Sequence, residues 1–126
     1  MVKVSIHPDI EYKDIANDYA TYLKLWKEDG IISGFLGSDG QWESNPRLCD
    51  SFVFKIHIRT PLEPEWNKKV PQALRKSDNY LVYCQHWCNV DEYQIIAIMS
   101  PNAHEKARTS YLAVLERRAE EFQNHF

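Results

Sequence analysis

The sequence predicts an α+β fold, a small and mainly antiparallel four-stranded sheet with helices packed on one face, organised as one domain over residues 1–126. Three observations predict it. Val2, Val4 and Ile6 alternate with Lys3 and Ser5, and Phe52, Phe54, Ile56 and Ile58 alternate with Val53, Lys55, His57 and Arg59, the period-two pattern of strands with one buried face. Tyr80 to Gln85 and Tyr93 to Met99 are rich in Val, Ile and Tyr around a polar connection, which reads as an antiparallel hairpin. Segments of helical period lie between the first two strands and after the hairpin.

The elements follow in order. Pro8 and Asp9 end the first strand and cap a helix over 10–28, in which Tyr12, Ile15, Ala16, Tyr19, Leu23 and Trp26 recur at helical spacing and Asp29-Gly30 supplies the stop. Ile31 to Pro46 contains Gly34, Gly37 and Gly40 among small polar residues, the composition of a loop with one helical turn around Ile31 to Leu36. Burying the Phe52, Phe54, Ile56 face of the second strand leaves Lys55, His57 and Arg59 in a row on the other, spaced about 6–7 Å by strand rise. Such a row is either a phosphate track or a solvated outer face. Pro61 to Ser77 reads as a long connection with a helical turn near Gln72 to Lys76.

Beyond the hairpin, Ser100-Pro101 reads as a helix opening, so that His104 and Arg108, four residues apart, project on one face. Tyr111, Leu112, Leu115, Ala119, Phe122 and Phe126 then make an apolar stripe, with Glu116, Arg117, Glu120 and Glu121 opposite. An unbroken helix would put His104 and Arg108 in that stripe, and an unpaired buried arginine is costly, so either a break at Thr109-Ser110 or a stripe that opens onto a site is expected.

With 126 residues, 44% apolar and 26% charged, the chain can bury a core without disulfides. No apolar run approaches the ~20 residues of a membrane span and no leader-like segment is evident, which points to a cytoplasmic protein without membrane association. Net charge is −3, unfavourable for binding nucleic acid as a whole. The charge is uneven: residues 55–76 carry Lys55, Arg59, Lys68, Lys69, Arg75 and Lys76 against Glu63 and Glu65, a local basic surface suited to RNA or simply a solvated segment.

Cys84, His86 and Cys88 invite a metal-binding reading, but structural zinc usually takes four ligands and only three cluster here, so no metal site and no cofactor is expected. His57, His104, Arg108, Lys55 and Tyr83 are a set of acid/base candidates with fixed cations. Metal-independent RNA cleavage needs those types: a base for the ribose 2′-OH, an acid for the leaving 5′-oxygen, and a cation for charge developing on phosphate.

These residues bring a resemblance into view. Lys27, Asp29, Gly30, Gly37 and Asp39, Ile56-His57-Ile58, Ser77-Asp78, Leu81-Val82-Tyr83-Cys84, Ile96-Ala97-Ile98, and Pro101 with His104, Ala107 and Arg108 resemble the YafO-type toxins of bacterial type II toxin-antitoxin systems. The resemblance runs from the first helix to Phe126. It implies a RelE-like architecture and a ribosome-dependent endoribonuclease, an mRNA interferase that cleaves translated mRNA and inhibits growth. Its implied partners are a cognate antitoxin, the ribosome and mRNA, with a homodimer also compatible. It carries His57, Asp78, Tyr83, His104 and Arg108 as catalytic candidates, and Tyr80 stands where relatives can have histidine. The competing readings are a non-catalytic, ribosome-binding translation inhibitor and a small metal-binding protein.

Overall fold

The computed structural model describes residues 1–125 and is built on a five-stranded mixed sheet. In chain order the elements are β1 (Lys3–Ile6), α1 (Lys13–Asp29), β2 (Leu36–Gln41), α2 (Pro46–Asp50), β3 (Val53–Ile58), a 3₁₀ turn (Gln72–Leu74), β4 (Tyr80–Gln85), β5 (Glu92–Met99), α3 (Ala103–Lys106) and α4 (Tyr111–Gln123). The strand order is β1-β5-β4-β3-β2, with β1 parallel to β5 and the other pairs antiparallel.

The fifth strand corrects the sequence expectation, because β2 falls within the segment read as a loop. Gly37 is there for close approach rather than for a turn: a Cβ on it would sit 2.6 Å from the Arg75 carbonyl oxygen and 2.9 Å from the Trp66 ring. Ser38 N–H donates to that same Arg75 carbonyl at 3.0 Å, fastening the 66–75 connection over the sheet edge. Pairing with β3 therefore overrides a poor local strand propensity.

Helices flank both faces of the sheet, not one. Tyr80 to Cys84 and Ile95 to Met99 are buried at every position, as strands are when both faces are covered. On one face α1 packs Ala16, Tyr19 and Leu23 against Leu36, Ile56, Ile58, Leu81, Tyr83, Ile95 and Ile98. On the other, Leu48 of α2 and Leu115, Ala119 and Phe122 of α4 cover Val53, Val82, Cys84, Ile96 and Ala97. Arg47 fastens α2 to α4 by donating from Nε to Glu120 at 2.7 Å.

Gly30 ends α1 in the left-handed region (φ 71°), its N–H bonded to the Trp26 carbonyl, as the sequence predicts. The start differs. Asp9 does not cap the helix; its carbonyl accepts from Arg118, and the chain turns through Tyr12 at φ 56° before α1 begins. In β3, Phe54, Ile56 and Ile58 face α1 as expected, whereas Phe52 lies before the strand at φ 54° and is 40% exposed. Of the two alternatives for the last helix, the break is the one that forms, between Lys106 and Tyr111. Phe126, assigned to the apolar stripe of α4, lies outside the described residues.

Candidate active site

The α2/α4 layer covers only part of its sheet face. Past its edge, the end of β3 leaves Lys55 and His57 half-exposed beside the buried Tyr80, and the β5–α3 connection carries His104 to the same place. The register fixes this: His57 pairs with Tyr80, and Tyr80 with Met99, one residue before the chain leaves the sheet toward α3.

The connection before β4 sets both imidazoles. The Asp78 carbonyl accepts the Ala103 N–H at 3.0 Å, and its Oδ1 accepts the His104 backbone N–H at 2.9 Å and meets His104 Nδ1 at 2.7 Å. An ionised carboxylate only accepts, so His104 carries its proton on Nδ1 and turns Nε2 outward. These bonds hold the Asp78 carboxyl below its ordinary value, the backbone N–H of His104 being the largest cause and its ring the next. One residue earlier, Ser77 grips His57, whose Nδ1 lies 2.8 Å from the Ser77 carbonyl and 2.9 Å from its N–H. When Nδ1 donates to the carbonyl, Nε2 is left with a free lone pair.

The ring centroids of His57 and His104 are 6.3 Å apart, with Tyr80 at 5.0 Å from the first and 5.3 Å from the second. Burial pushes His57 below its ordinary value; the Ser77 bond opposes that shift, while Lys76, His104 and Lys55 add to it. Lys55 Nζ lies 4.5 Å from the Trp42 ring and 5.4 Å from that of Tyr80, and burial lowers its pKa as well. Lys55, His57 and Lys76, with Ser38, Asp39 and Gly40, line a cavity of about 110 Å³. Two cations, a neutral imidazole and a second imidazole oriented by a carboxylate suit an anionic substrate that exchanges protons.

Of the residues singled out in the sequence, His57, His104, Asp78, Lys55 and Lys76 meet here. The others do not. Tyr83 is buried on the α1 face, where its hydroxyl donates to Asp39 at 2.9 Å. Arg59 follows the last residue of β3, stacks on Trp66 at 4.7 Å and pairs with Glu63, so the basic row stops at His57. Arg75 is 4% exposed and donates to the carbonyls of Val70, Ser33 and Leu36, which removes it from the RNA-binding set. Lys68 and Lys69 are exposed on the long connection. Arg108 is exposed in the turn after α3. Cys84 is buried, which raises its thiol, and among the described residues no cluster of three His, Cys, Asp or Glu could hold a metal ion.

Sequence reasoning missed Trp42 and Ser77 as parts of the site. Ser77 leaves no periodic trace, because it acts on His57 through its backbone.

A family model described as "Toxin YafO, type II toxin-antitoxin system" matches residues 24–124. The mRNA interferase toxin YafO of Escherichia coli (strain K12) is 26% identical over 121 residues, which cover 92% of this chain and 88% of that protein. No solved structure matches.

Proposed function

The chain belongs to the YafO family of type II toxin-antitoxin toxins, and from that membership we propose that it is an mRNA interferase, a metal-independent endoribonuclease that cuts mRNA during translation on the ribosome. The observation that carries the chemistry is the pair of imidazoles beside Lys55 and Lys76, one half-buried and flanked by cations, the other bonded to Asp78.

His57, kept neutral, takes the proton of a ribose 2′-OH through Nε2. The freed 2′-oxygen attacks the adjacent phosphorus, the bond from phosphorus to the 5′-oxygen breaks, and His104, acting as the imidazolium with its Nδ1–H on Asp78, delivers its Nε2 proton to that oxygen. The products are a 2′,3′-cyclic phosphate and a 5′-hydroxyl. Lys55 and Lys76 stabilise charge growing on the phosphate oxygens, and Arg108, exposed in the turn beyond α3, meets the phosphate of the incoming strand.

An acidic chain lacks the broad positive surface of a free-standing ribonuclease, and a ribosome that positions the message supplies what the chain lacks. Kinship with RelE-like toxins belongs to the same proposal, supported by a small, mostly antiparallel sheet flanked by helices. Primer extension on a message in a reconstituted translation system tests the reading. Cleavage is expected when ribosomes translate the message and not on the same message without them; translation arrest with intact mRNA would replace the reading with non-catalytic ribosome binding.

A further inference from the structure

A second cavity lies against the first across β2. It has a volume of about 230 Å³ and is lined by Trp26, Ser38, Asp39, Gln72 and Ala73, of which Ser38 and Asp39 also line the cavity holding Lys55, His57 and Lys76. A strand passing over this sheet edge with its phosphate on Lys55 and Lys76 would lay a neighbouring base here.

The polar groups of this cavity have fixed directions. Tyr83 donates its hydroxyl to Asp39 Oδ1 at 2.9 Å, which fixes the carboxylate as an acceptor where it lines both cavities, with Lys27 as its cationic neighbour. Gln72 donates its Nε2 to the Gly37 carbonyl at 3.0 Å, so its amide oxygen points the other way as a second acceptor. Lys27 Nζ lies 4.1 Å from the centroid of the Trp26 ring, and the indole, partly packed on the core, lines the cavity as its aromatic wall. The site therefore offers an aromatic wall and two acceptors.

We propose that this cavity is a base-reading subsite that stacks a nucleobase on Trp26 and selects guanine, whose N1–H and N2–H₂ are adjacent donors matched by Asp39 and Gln72. Adenine and cytosine present an acceptor next to their amino group on that edge, and uracil has a single donor between two acceptors. Tyr83 is then a positioning residue that acts through Asp39, which gives a use to a tyrosine that does not reach the imidazoles. The inference rests on the interferase reading for its place in catalysis, but not for binding.

Titration of the purified chain with guanosine, adenosine, cytidine and uridine 5′-monophosphates, followed by the indole N–H resonance of Trp26, tests the pocket. Guanosine monophosphate is expected to shift that resonance with an affinity about tenfold or more above the other three. Asp39→Asn, which keeps the shape but puts an amide donor in place of an acceptor, is expected to abolish the preference in a chain with unchanged spectral dispersion. Equal shifts with all four nucleotides, or none at millimolar concentration, would overturn the proposal. In the translation assay, messages differing only at the base beside the cut should show the same preference; binding without cleavage would sink the interferase reading and leave the pocket standing.

Discussion

Asp78 Oδ1 accepts the backbone N–H of His104 and meets its ring Nδ1, so one carboxylate both starts α3 and orients the imidazole it presents. Folding and site assembly are coupled at that atom, and the coupling separates catalytic from structural effects.

Losing a positioned acid or base costs roughly 10² to 10⁴ in rate. His57→Ala and His104→Ala should each lose cleavage by that order while the melting temperature stays near the parent's, because both rings are partly solvent-facing. Asp78→Asn should lose both activity and some stability, since it also weakens the start of α3. Parent-level cleavage by well-folded His57→Ala and His104→Ala would remove the imidazoles from the mechanism.

The pH dependence follows from the sign of the His57 shift. Burial and neighbouring cations lower its pKa from the ordinary 6.5. The unfolded chain thus binds the proton first, and His57's contribution to stability is lost as pH falls below about 6.5. An NMR titration of the His57 ring should give a midpoint under that value. Lys76→Met should raise the midpoint by removing a positive neighbour; an unchanged or lower midpoint would contradict the assigned cause.

Arg75 and Lys76 are adjacent basic residues with opposite jobs. Arg75→Ala leaves three carbonyls without their donor and should cost about 3 kcal/mol, read as a drop in thermal or urea midpoint. Lys76→Ala should change stability by less than about 0.5 kcal/mol and reduce cleavage instead. Reversed effects would mean that the buried and exposed members of the basic segment are misassigned.

Family membership makes a cellular prediction. Induced expression of the chain alone should arrest bacterial growth, and co-expression of its antitoxin should restore it. Growth unaffected by confirmed soluble chain would count against toxicity, and arrest by the His57→Ala, His104→Ala double variant would place toxicity outside the imidazole site.

Sequence periodicity was sufficient for β1, α1, β3 and the β4–β5 hairpin, because a one-residue slip in any of them would expose a full set of apolar side chains. Alternation likewise separated Lys55 and His57 from Ile56 and Ile58, and the cost of burying Arg108 located the break before α4. Other features arise between segments distant in sequence. β2 has the composition of a loop and becomes a strand because β3 offers it a ladder and Gly37 lets the Arg75 carbonyl approach. The second helical layer was written in the unbroken apolar runs of β4 and β5, a pattern that one-sided alternation does not describe. Only the tertiary structure decided which polar residues meet: contacts across 26 residues bring Asp78 to His104, while strand parity sends Tyr83 to the opposite face. Local sequence encodes the face of each element, but the convergence of two histidines and two lysines at one end of a sheet follows from register, which is set by packing of the whole core.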